Sequence, residues 1–408
     1  MSARTGEANA MASSRPVLVF NCGSSSLKFG LFELPEEPVA MAHGTVSDFG
    51  TQATLDWTCR GQQRREPLAA RDHVQAAQAV LGLLARHDLL AGISAVGHRV
   101  VHGGEHFSAP VRVTDAVLGR LDSLNGLAPL HNPSALAVIR ECRGRLGEVP
   151  AVAVFDTAFF HALPEHVMAY ALPAEWRREF GIRRYGFHGI AHRYLDQRGR
   201  AVSGAGRVVT LQLGHGCSIA AIQDGRPVET SMGFTPLEGL VMATRPGDVD
   251  PGVLLHLAGQ GWSTAQMQTA LNHHSGLLGL SGASADMREL LALEAQGHAG
   301  AGLAITAFCH RARKYLGAYI AVLGGVEAIV FGGGIGEHAP SIRQRICANM
   351  AWCGIQIDAA ANAAVGGVEA RISTTDAGVG VWVVPVNEEL QIARELRACL
   401  AAQTEIQP

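Results

Sequence analysis

Groups that could bind a phosphate occur together in segment 17–32, VLVFNCGSSSLKFGLF. Two apolar runs flank a turn of small and polar residues, and in the second run Lys28 alternates with apolar neighbours. This period-2 pattern around a turn predicts a β-hairpin. Such a turn exposes backbone N–H groups and serine hydroxyls, which suit a phosphate. An ordinary polar hairpin turn would have the same composition, so this segment alone leaves both interpretations open.

A second segment, 207–230, has the same order of features. The apolar run Val208–Leu213 meets a small-residue turn, Gly214–Ser218, and a second apolar run follows as far as Gln223. Asp224 and Gly225 then form a tight-turn signal. The functional interpretation is a duplicated domain with two phosphate-binding hairpins. Because the two segments share little direct identity, a chance similarity is the alternative.

A third glycine-rich turn, Gly332–His338, follows the apolar run Ala328–Phe331, and a helix is expected from Pro340. A strand, glycines and a helix in this order place backbone N–H groups at a helix N-terminus, which favours a nucleotide phosphate. The segment does not match G-x-G-x-x-G, and no acidic residue follows at the distance that a dinucleotide fold requires.

Charged residues lie near the ends of two further apolar runs. Arg99 belongs to the predicted strand 93–101, where a buried arginine needs a partner, either a ligand or a structural ion pair. Asp156 follows the apolar run 150–155, and the carboxyl end of a buried strand is where open α/β sheets bind ligands. A turn or helix cap is the alternative for Asp156. The loop RRYGFHG, 183–189, is dense in functional groups, which is typical of sites.

Helices must position these strands. Apolar residues at helical spacing predict helices over His73–Arg86 and Asp115–Leu124. Asn132 is predicted to cap another helix, with Pro133 at its first position. The Ala-rich stretch Ala299–Leu323 carries several internal charges, so a largely buried helix is predicted there rather than a membrane span.

Composition narrows the function classes. A chain of 408 residues predicts two domains, and a net charge of −3 without a basic run predicts no nucleic-acid partner. The eight cysteines have no C-x-x-C or metal-ligand spacing, which predicts free thiols in a reducing cytoplasm. Residues 1–15 contain no apolar signal core and are predicted to be a disordered extension. We therefore expect a cytoplasmic protein without a membrane partner.

Taken together, several long segments of the chain resemble the acetokinase (acetate kinase) family of the acetate and sugar kinase, heat-shock protein and actin superfamily. The resemblance extends from Val17 to about Arg397. Its segments are FNCGSSSLKF (20–29), GHRVVHGGEHF (97–107), APLHNP (128–133), VFDTAF (154–159), RRYGFHG (183–189), SMGFTPLEGLVMATRPGDVDP (231–251), SGLLGLSGASADMR (275–288), GGIGE (333–337) and PVNEEL (385–390).

The resemblance implies two actin-like (ribonuclease H-like) α/β domains with mixed sheets flanked by helices and an active site in the cleft between them. Domain I would comprise residues 16–156 plus 389–408, because the C-terminal helix returns to it, and domain II residues 157–388. The family resemblance also implies a homodimer.

The implied activity is reversible, Mg²⁺-dependent transfer of the γ-phosphoryl group of ATP to acetate, giving acetyl phosphate and ADP; Mn²⁺ could replace Mg²⁺. Acetate is already ionised, so no strong general base is needed. The difficulty is like-charge repulsion between two anions, so catalysis should depend on positioning and on cationic stabilisation.

The resemblance also assigns roles to residues of this chain. Arg99 and Arg245 would surround the transferring group, His188 would contact it, and Asp156 would orient an arginine or a metal-bound water. Mg²⁺ would be held by Glu388 with Asn21 nearby. The acetate site would comprise Arg99, Val101, Leu130, Phe187 and Pro236. The ATP site would comprise Ser24, Ser26, Lys28, Gln212, Gly214, His215, Gly216, Asp286, Met287, Arg288, Gly333, Gly334, Ile335 and Gly336.

Four positions depart from the family pattern. Gln212 and Phe160 stand where the family has histidine, and His215 and His338 where it has asparagine. Gln212 can donate a hydrogen bond but carries no charge, whereas His215 adds a titratable group beside the expected phosphates. We interpret these departures as changes in nucleotide affinity, rate or pH profile.

Two alternatives remain at this point. One is a related kinase that uses propionate, another short-chain carboxylate or another phosphoryl donor. The other is a non-catalytic, actin-like nucleotide-binding protein. The arginine pair and the apolar pocket favour an enzyme, because a nucleotide switch needs neither.

Overall fold

The computed structural model describes residues 15–35, 38–50 and 52–404. The predicted disordered extension, residues 1–15, lies outside these ranges except for Arg15. The chain divides into two compact units: unit 1 comprises residues 1–159 and 387–408, and unit 2 comprises residues 160–386.

Unit 1 contains an eight-stranded mixed sheet in the order β5-β4-β3-β2-β1-β6-β8-β7. Strands β1 to β5 form an antiparallel meander, β1, β6 and β8 are parallel, and β7 is antiparallel to β8. The strands are β1 (Val17–Cys22), β2 (Ser26–Glu33), β3 (Val39–Ser47), β4 (Thr54–Cys59), β5 (Gln62–Pro67), β6 (Ala95–Val100), β7 (Val111–Arg112) and β8 (Ala151–Phe155).

Helices flank this sheet, and the C-terminal helix packs on its central strands. They are α1 (His73–Arg86), α2 (Asp115–Ser123), α3 (Asn132–Leu146) and α15 (Glu388–Thr404). Helix α15 contacts β1, β2, β6 and β8. It approaches β6 closely because Gly97 has no side chain: a Cβ there would lie 2.9 Å from the side chain of Ile392. This packing brings the start of α15 to the edge of the sheet where the parallel strands end.

Unit 2 contains a six-stranded mixed sheet in the order β11-β10-β9-β12-β14-β13. Its strands are β9 (Arg207–Leu213), β10 (Cys217–Gln223), β11 (Arg226–Thr230), β12 (Ala328–Gly332), β13 (Ala370–Arg371) and β14 (Gly380–Val383). The run β11-β10-β9-β12-β14 has the same order and strand directions as β3-β2-β1-β6-β8 of unit 1. This shared topology agrees with the duplicated-domain interpretation.

Eleven α-helices of unit 2 lie within the described ranges. They are α4 (Glu165–Met168), α5 (Ala174–Phe180), α6 (Gly189–Ser203), α7 (Pro251–Gly259), α8 (Thr264–His273), α9 (Gly276–Ser281), α10 (Met287–Ala295), α11 (Ala299–Val322), α12 (Gly333–His338), α13 (Pro340–Cys347) and α14 (Ala359–Ala364). No helix in the described part of the chain has the length and apolarity that a membrane crossing requires. The predicted α/β fold class, with two mixed sheets flanked by helices, is confirmed.

One local prediction is wrong. Asn132 does not cap helix α3; it is the first helical residue, and His131 precedes it. The buried side chain of Asn132 instead accepts a hydrogen bond from the His102 N–H at 3.1 Å and donates one to the His102 carbonyl at 3.0 Å. A tertiary contact therefore uses the amide that the local pattern assigned to a cap.

Candidate active site

Several polar residues of unit 1 lie close together at the ends of the parallel strands β1, β6 and β8. Arg99 lies near the end of β6, and Asp156 follows β8 directly. Arg99 Nε donates to Asp156 Oδ1 at 3.0 Å, and Nη2 donates to Oδ2 at 2.6 Å. Burial by itself lowers the pKa of Arg99, but the carboxylates of Asp156 and Glu388 outweigh burial and raise that pKa above its usual value. Arg99 is therefore a cation whose charge is already compensated.

Asn21 connects this ion pair to helix α15. Arg99 Nη1 donates to Asn21 Oδ1 at 3.0 Å, and Asn21 Nδ2 donates to Glu388 Oε2 and Glu389 Oε1, both at 2.8 Å. We call these five residues the unit 1 cluster. Four of them were predicted from the sequence. Glu389 was missed, although its position next to Glu388 was a signal.

The turn of the first hairpin is tight, because the Gly23 N–H donates to the Ser26 carbonyl at 2.9 Å. Ser24 and Lys28 are exposed, and Ser26 is half-buried. Lys28 pairs with Asn21 across β1 and β2, so the two side chains lie on the same face of the sheet. The predicted phosphate-binding residues of this turn are thus exposed or half-buried, and Lys28 lies on the face of the sheet that carries Asn21.

Unit 2 brings His188 and Arg245 to the turn of the second hairpin. His188 precedes helix α6 in a left-handed conformation, with φ of 58°. A Cβ at Gly216 would lie 2.9 Å from Arg245 Nη2 and 3.2 Å from His188 Nε2. The turn therefore reaches both side chains only because residue 216 is glycine. Arg245 Nη1 also donates to the Pro236 carbonyl at 2.8 Å. We call His188, Gly216 and Arg245 the unit 2 cluster.

Arg245 differs from Arg99 in its electrostatic surroundings. Within the described ranges it forms a hydrogen bond to a carbonyl but no ion pair. Burial is the main cause that lowers its pKa, and the Cys217 thiol opposes this only partly. A desolvated cation without a carboxylate attracts an anion strongly. The unit 2 cluster is therefore a candidate anion site, which we call the anion site.

A cavity of about 530 Å³ in unit 2 is lined by half of the residues that were predicted to bind ATP. Such a volume is within the range of small-molecule sites, roughly 300–1,000 Å³. Predicted residues in its lining are Gly214, His215, Asp286, Met287, Arg288, Gly334 and Ile335. Residues that were not predicted are Ala243, Ala285, Leu291, His338 and Ala339. The second hairpin turn thus contacts the cavity through Gly214 and His215 and the anion site through Gly216.

Two charged residues hold the glycine segment beside this cavity. Glu337 Oε1 accepts hydrogen bonds from the N–H groups of Gly333, at 2.9 Å, and Val386, at 3.0 Å. The fully buried Arg343 donates to the carbonyls of Gly336 and Glu337. The segment that was predicted as a turn therefore forms a short helix, α12, fixed at both ends. Neither Glu337 nor Arg343 was predicted as a site residue.

The departures from the family pattern lie in different places. His215 and His338 line the cavity. Gln212 lies on β9 opposite Ser218, outside the cavity lining, and its Oε1 is buried without a hydrogen bond among the described residues. Phe160 is fully buried and packs edge-on against His192. His215 and His338 are thus the two departures that could affect a nucleotide bound in this cavity.

The predicted acetate residues belong to both units. Val101 is buried and Leu130 is exposed in unit 1, whereas Phe187 is buried and Pro236 half-buried in unit 2. Their assembly into one pocket stays a prediction. Among the described residues, no group of three or more His, Cys, Asp or Glu side chains is arranged to hold a metal ion.

Comparisons with known proteins identify the family. The profile of the acetokinase family matches residues 16–394. The acetate kinase of Chloroherpeton thalassium is 44% identical over 412 residues, covering 94% of this chain and 99% of that protein. The crystal structure of Porphyromonas gingivalis acetate kinase is 41% identical with a TM-score of 0.86, covering 95% of this chain and 100% of that one.

A Francisella tularensis propionate kinase is also similar in structure. It is 37% identical with a TM-score of 0.87, and the alignment covers 93% of this chain and 98% of that one. The family match and both structural similarities extend over nearly the whole chain. The chain therefore belongs to the acetokinase family, a family of carboxyl-group phosphotransferases.

Proposed function

We propose that this chain is an acetate kinase, which transfers the γ-phosphoryl group of ATP reversibly to acetate and forms acetyl phosphate and ADP. The observation that carries the proposal is the second hairpin turn. Its residue Gly216 approaches Arg245, a half-buried cation that forms no ion pair with any described residue, while Gly214 and His215 line the cavity. A nucleotide in this cavity would have its phosphates close to an uncompensated positive charge.

The chemistry needs charge stabilisation more than proton transfer. An oxygen of the acetate carboxylate forms a bond to the γ-phosphorus, while the bond from that phosphorus to the bridging oxygen of ADP breaks. The negative charge on the three equatorial oxygens would be stabilised by Arg245, Arg99 and His188. Asp156 would hold the Arg99 fork in place through its two hydrogen bonds.

The unit 1 cluster contains oxygen ligands of the kind that Mg²⁺ prefers. Glu388 and Glu389 present carboxylate oxygens to the same Asn21 amide. Mg²⁺ is commonly held by one or two carboxylates plus substrate phosphates and water. When bound, the ion would neutralise phosphate charge. Glu388 and Glu389 would hold it, and Asn21 would orient both side chains.

Acetate is the proposed acceptor, and propionate is the closest alternative because a propionate kinase is among the structural relatives. One additional methylene changes discrimination by only about 1–3 kcal/mol. We therefore expect propionate to be a weaker substrate.

The proposal also includes a homodimer located in the cytoplasm. Sedimentation velocity would test whether the protein is a dimer.

Trapping of acyl phosphate with hydroxylamine tests the function. The protein is incubated with ATP, Mg²⁺ and acetate, propionate or butyrate, and the acyl hydroxamate is measured. We expect the highest kcat/KM with acetate and a strong loss of product when EDTA removes the metal. A protein that forms no hydroxamate from any of the three carboxylates would contradict the proposal.

A further inference from the structure

A chain of three hydrogen bonds leads from His188 into the interior of unit 2. His188 Nδ1 lies 2.8 Å from Ser218 Oγ. The same hydroxyl lies 2.7 Å from His192 Nε2, and His192 Nδ1 lies 2.7 Å from Thr210 Oγ1. Thr210, His192 and Ser218 are fully buried, and none of the three was predicted as a site residue. Helix α6 contributes His192, and strands β9 and β10 contribute the two hydroxyls.

The buried end of the chain determines the direction of its hydrogen bonds. Burial is the largest cause that lowers the pKa of His192 well below its usual value, so its ring is neutral and carries one N–H. Within the described residues, the Thr210 hydroxyl has one hydrogen-bond partner, His192 Nδ1. If His192 donated to Thr210, the Thr210 hydrogen would be buried without an acceptor, which is more costly than an unused lone pair. Thr210 therefore donates to His192 Nδ1.

The same order of donors and acceptors continues from His192 through Ser218 to His188. Since His192 accepts at Nδ1, its own proton is on Nε2 and is donated to Ser218. The Ser218 hydroxyl has only one hydrogen, so it donates to His188 Nδ1. His188 then carries its proton on Nε2. An imidazolium at His188 would donate from Nδ1 to Ser218, and a buried hydroxyl hydrogen would then be left without an acceptor. That hydrogen is the one on Ser218 if Ser218 accepts from both rings, or the one on Thr210 if every hydrogen bond of the chain reverses.

The proton on Nε2 is placed at the anion site. His188 Nε2 lies 3.2 Å from the position of a Cβ at Gly216, and Arg245 Nη2 approaches the same position to 2.9 Å. We infer that Thr210, His192 and Ser218 are positioning residues, which keep His188 neutral with its proton on Nε2 so that it donates a hydrogen bond to the transferring phosphoryl group. The last step rests on the proposed function; the assignment of the ring proton does not.

NMR of the full chain with ¹⁵N-labelled histidine tests the assignment directly. Two-bond ¹H–¹⁵N correlations distinguish the two neutral tautomers and the imidazolium form, and His188→Gln and His192→Gln variants assign the signals. We expect both rings to be neutral with the proton on Nε2 at neutral pH. A His188 ring protonated on Nδ1, or on both nitrogens, would overturn the inference.

Ser218→Ala breaks the chain and tests its effect on catalysis. The matched control is Ser231→Ala, which removes another fully buried serine hydroxyl; in the described structure that hydroxyl accepts from the Ile219 N–H and forms no hydrogen bond with His188. We expect Ser218→Ala to alter the His188 tautomer signals and to lower kcat about tenfold at unchanged KM, the effect of one modest hydrogen bond. Ser231→Ala should change neither quantity.

A smaller effect is expected at the end of the chain. Thr210→Val leaves His192 Nδ1 facing a methyl group, which still excludes a proton there, so His188 should keep its tautomer. Ser218→Ala with unchanged His188 signals and unchanged kcat would overturn the positioning role. If the wild-type protein has the expected tautomers but makes no acyl phosphate, the proposed function fails while the assignment of the ring proton holds.

Discussion

Arg99 of unit 1 and Arg245 of unit 2 were predicted to contact the same phosphoryl group, yet their surroundings differ in charge. Arg99 makes four hydrogen bonds, two of them to Asp156, so one of its five N–H donors is left within the described structure. Among the described residues, Arg245 makes one hydrogen bond, to a carbonyl. The pKa of Arg99 is raised and that of Arg245 is lowered.

This difference assigns distinct tasks to the two arginines. Arg99 is fixed in place and is part of a neutralised network, so it contributes geometry and one directed donor. Arg245 contributes net positive charge, because no side-chain carboxylate within the described ranges pairs with it. The stability of the protein should therefore depend on Arg99, and the attraction of an anion should depend on Arg245.

The largest effect is expected for Arg245→Ala. We expect kcat to fall about 10³-fold, the scale observed for arginines that stabilise a transferring phosphoryl group. The free energy of unfolding should change little, since the variant removes a cation that has no ion-pair partner among the described residues. Steady-state kinetics and urea unfolding measure the two quantities. A raised KM at normal kcat would show that Arg245 only binds substrate.

Arg99→Ala should affect both activity and stability. It leaves the Asp156 carboxylate buried and unpaired, and breaking a buried ion pair in this way costs about 3–5 kcal/mol. We expect that loss in the free energy of unfolding, with a smaller loss of kcat than for Arg245→Ala. The double variant Arg99→Ala with Asp156→Asn is the control, because it should recover stability without activity. Equal destabilisation by Arg99→Ala and Arg245→Ala would contradict the comparison.

Gly216→Ala tests whether the hairpin turn sets the position of the unit 2 cluster. The added methyl would lie 2.9 Å from Arg245 Nη2, so the guanidinium must shift. We expect a loss of kcat of about 10-fold to 10²-fold, since a misplacement of about 1 Å can reduce a rate by 10².

Gly214→Ala is the matched control in the same turn, because its methyl would meet its nearest atom, the Gly216 carbonyl oxygen, at 3.6 Å. Gly214 lines the cavity of unit 2 that is proposed to bind ATP, so its variant should raise the KM for ATP and leave kcat nearly unchanged. Equal kcat values for the two variants would mean that Arg245 is not positioned by this turn.

Local sequence patterns were sufficient to predict much of the fold. They did not predict the ion pairs and hydrogen bonds of the candidate site. Helix His73–Arg86 has the predicted bounds, and both predicted hairpins form. The first was predicted from a period-2 pattern and the second from two apolar runs around a small-residue turn. Sequence cannot distinguish Arg99 from Arg245, because their difference depends on Asp156, which follows a different strand. The hydrogen-bond chain through His192 was missed for the same reason: it joins a helix to two strands. Asn132 was misassigned because a cap signature is local and its actual contact is tertiary.

The smallest effect is expected for His215→Asn, which restores the family residue at the cavity. The surrounding protein lowers the pKa of His215, first through loss of hydration and then through the nearby charge of Arg245. His215 is therefore neutral at pH 7 and gains a proton only as the pH falls through this lowered pKa. The added positive charge would attract nucleotide phosphates, so the KM for ATP of the wild-type protein should fall relative to that of the variant on acidification. The ratio of the two KM values, measured between pH 5 and 8, removes the titration of ATP itself, which is common to both proteins. A ratio that does not change with pH would show that Arg245 provides the positive charge of this site without His215.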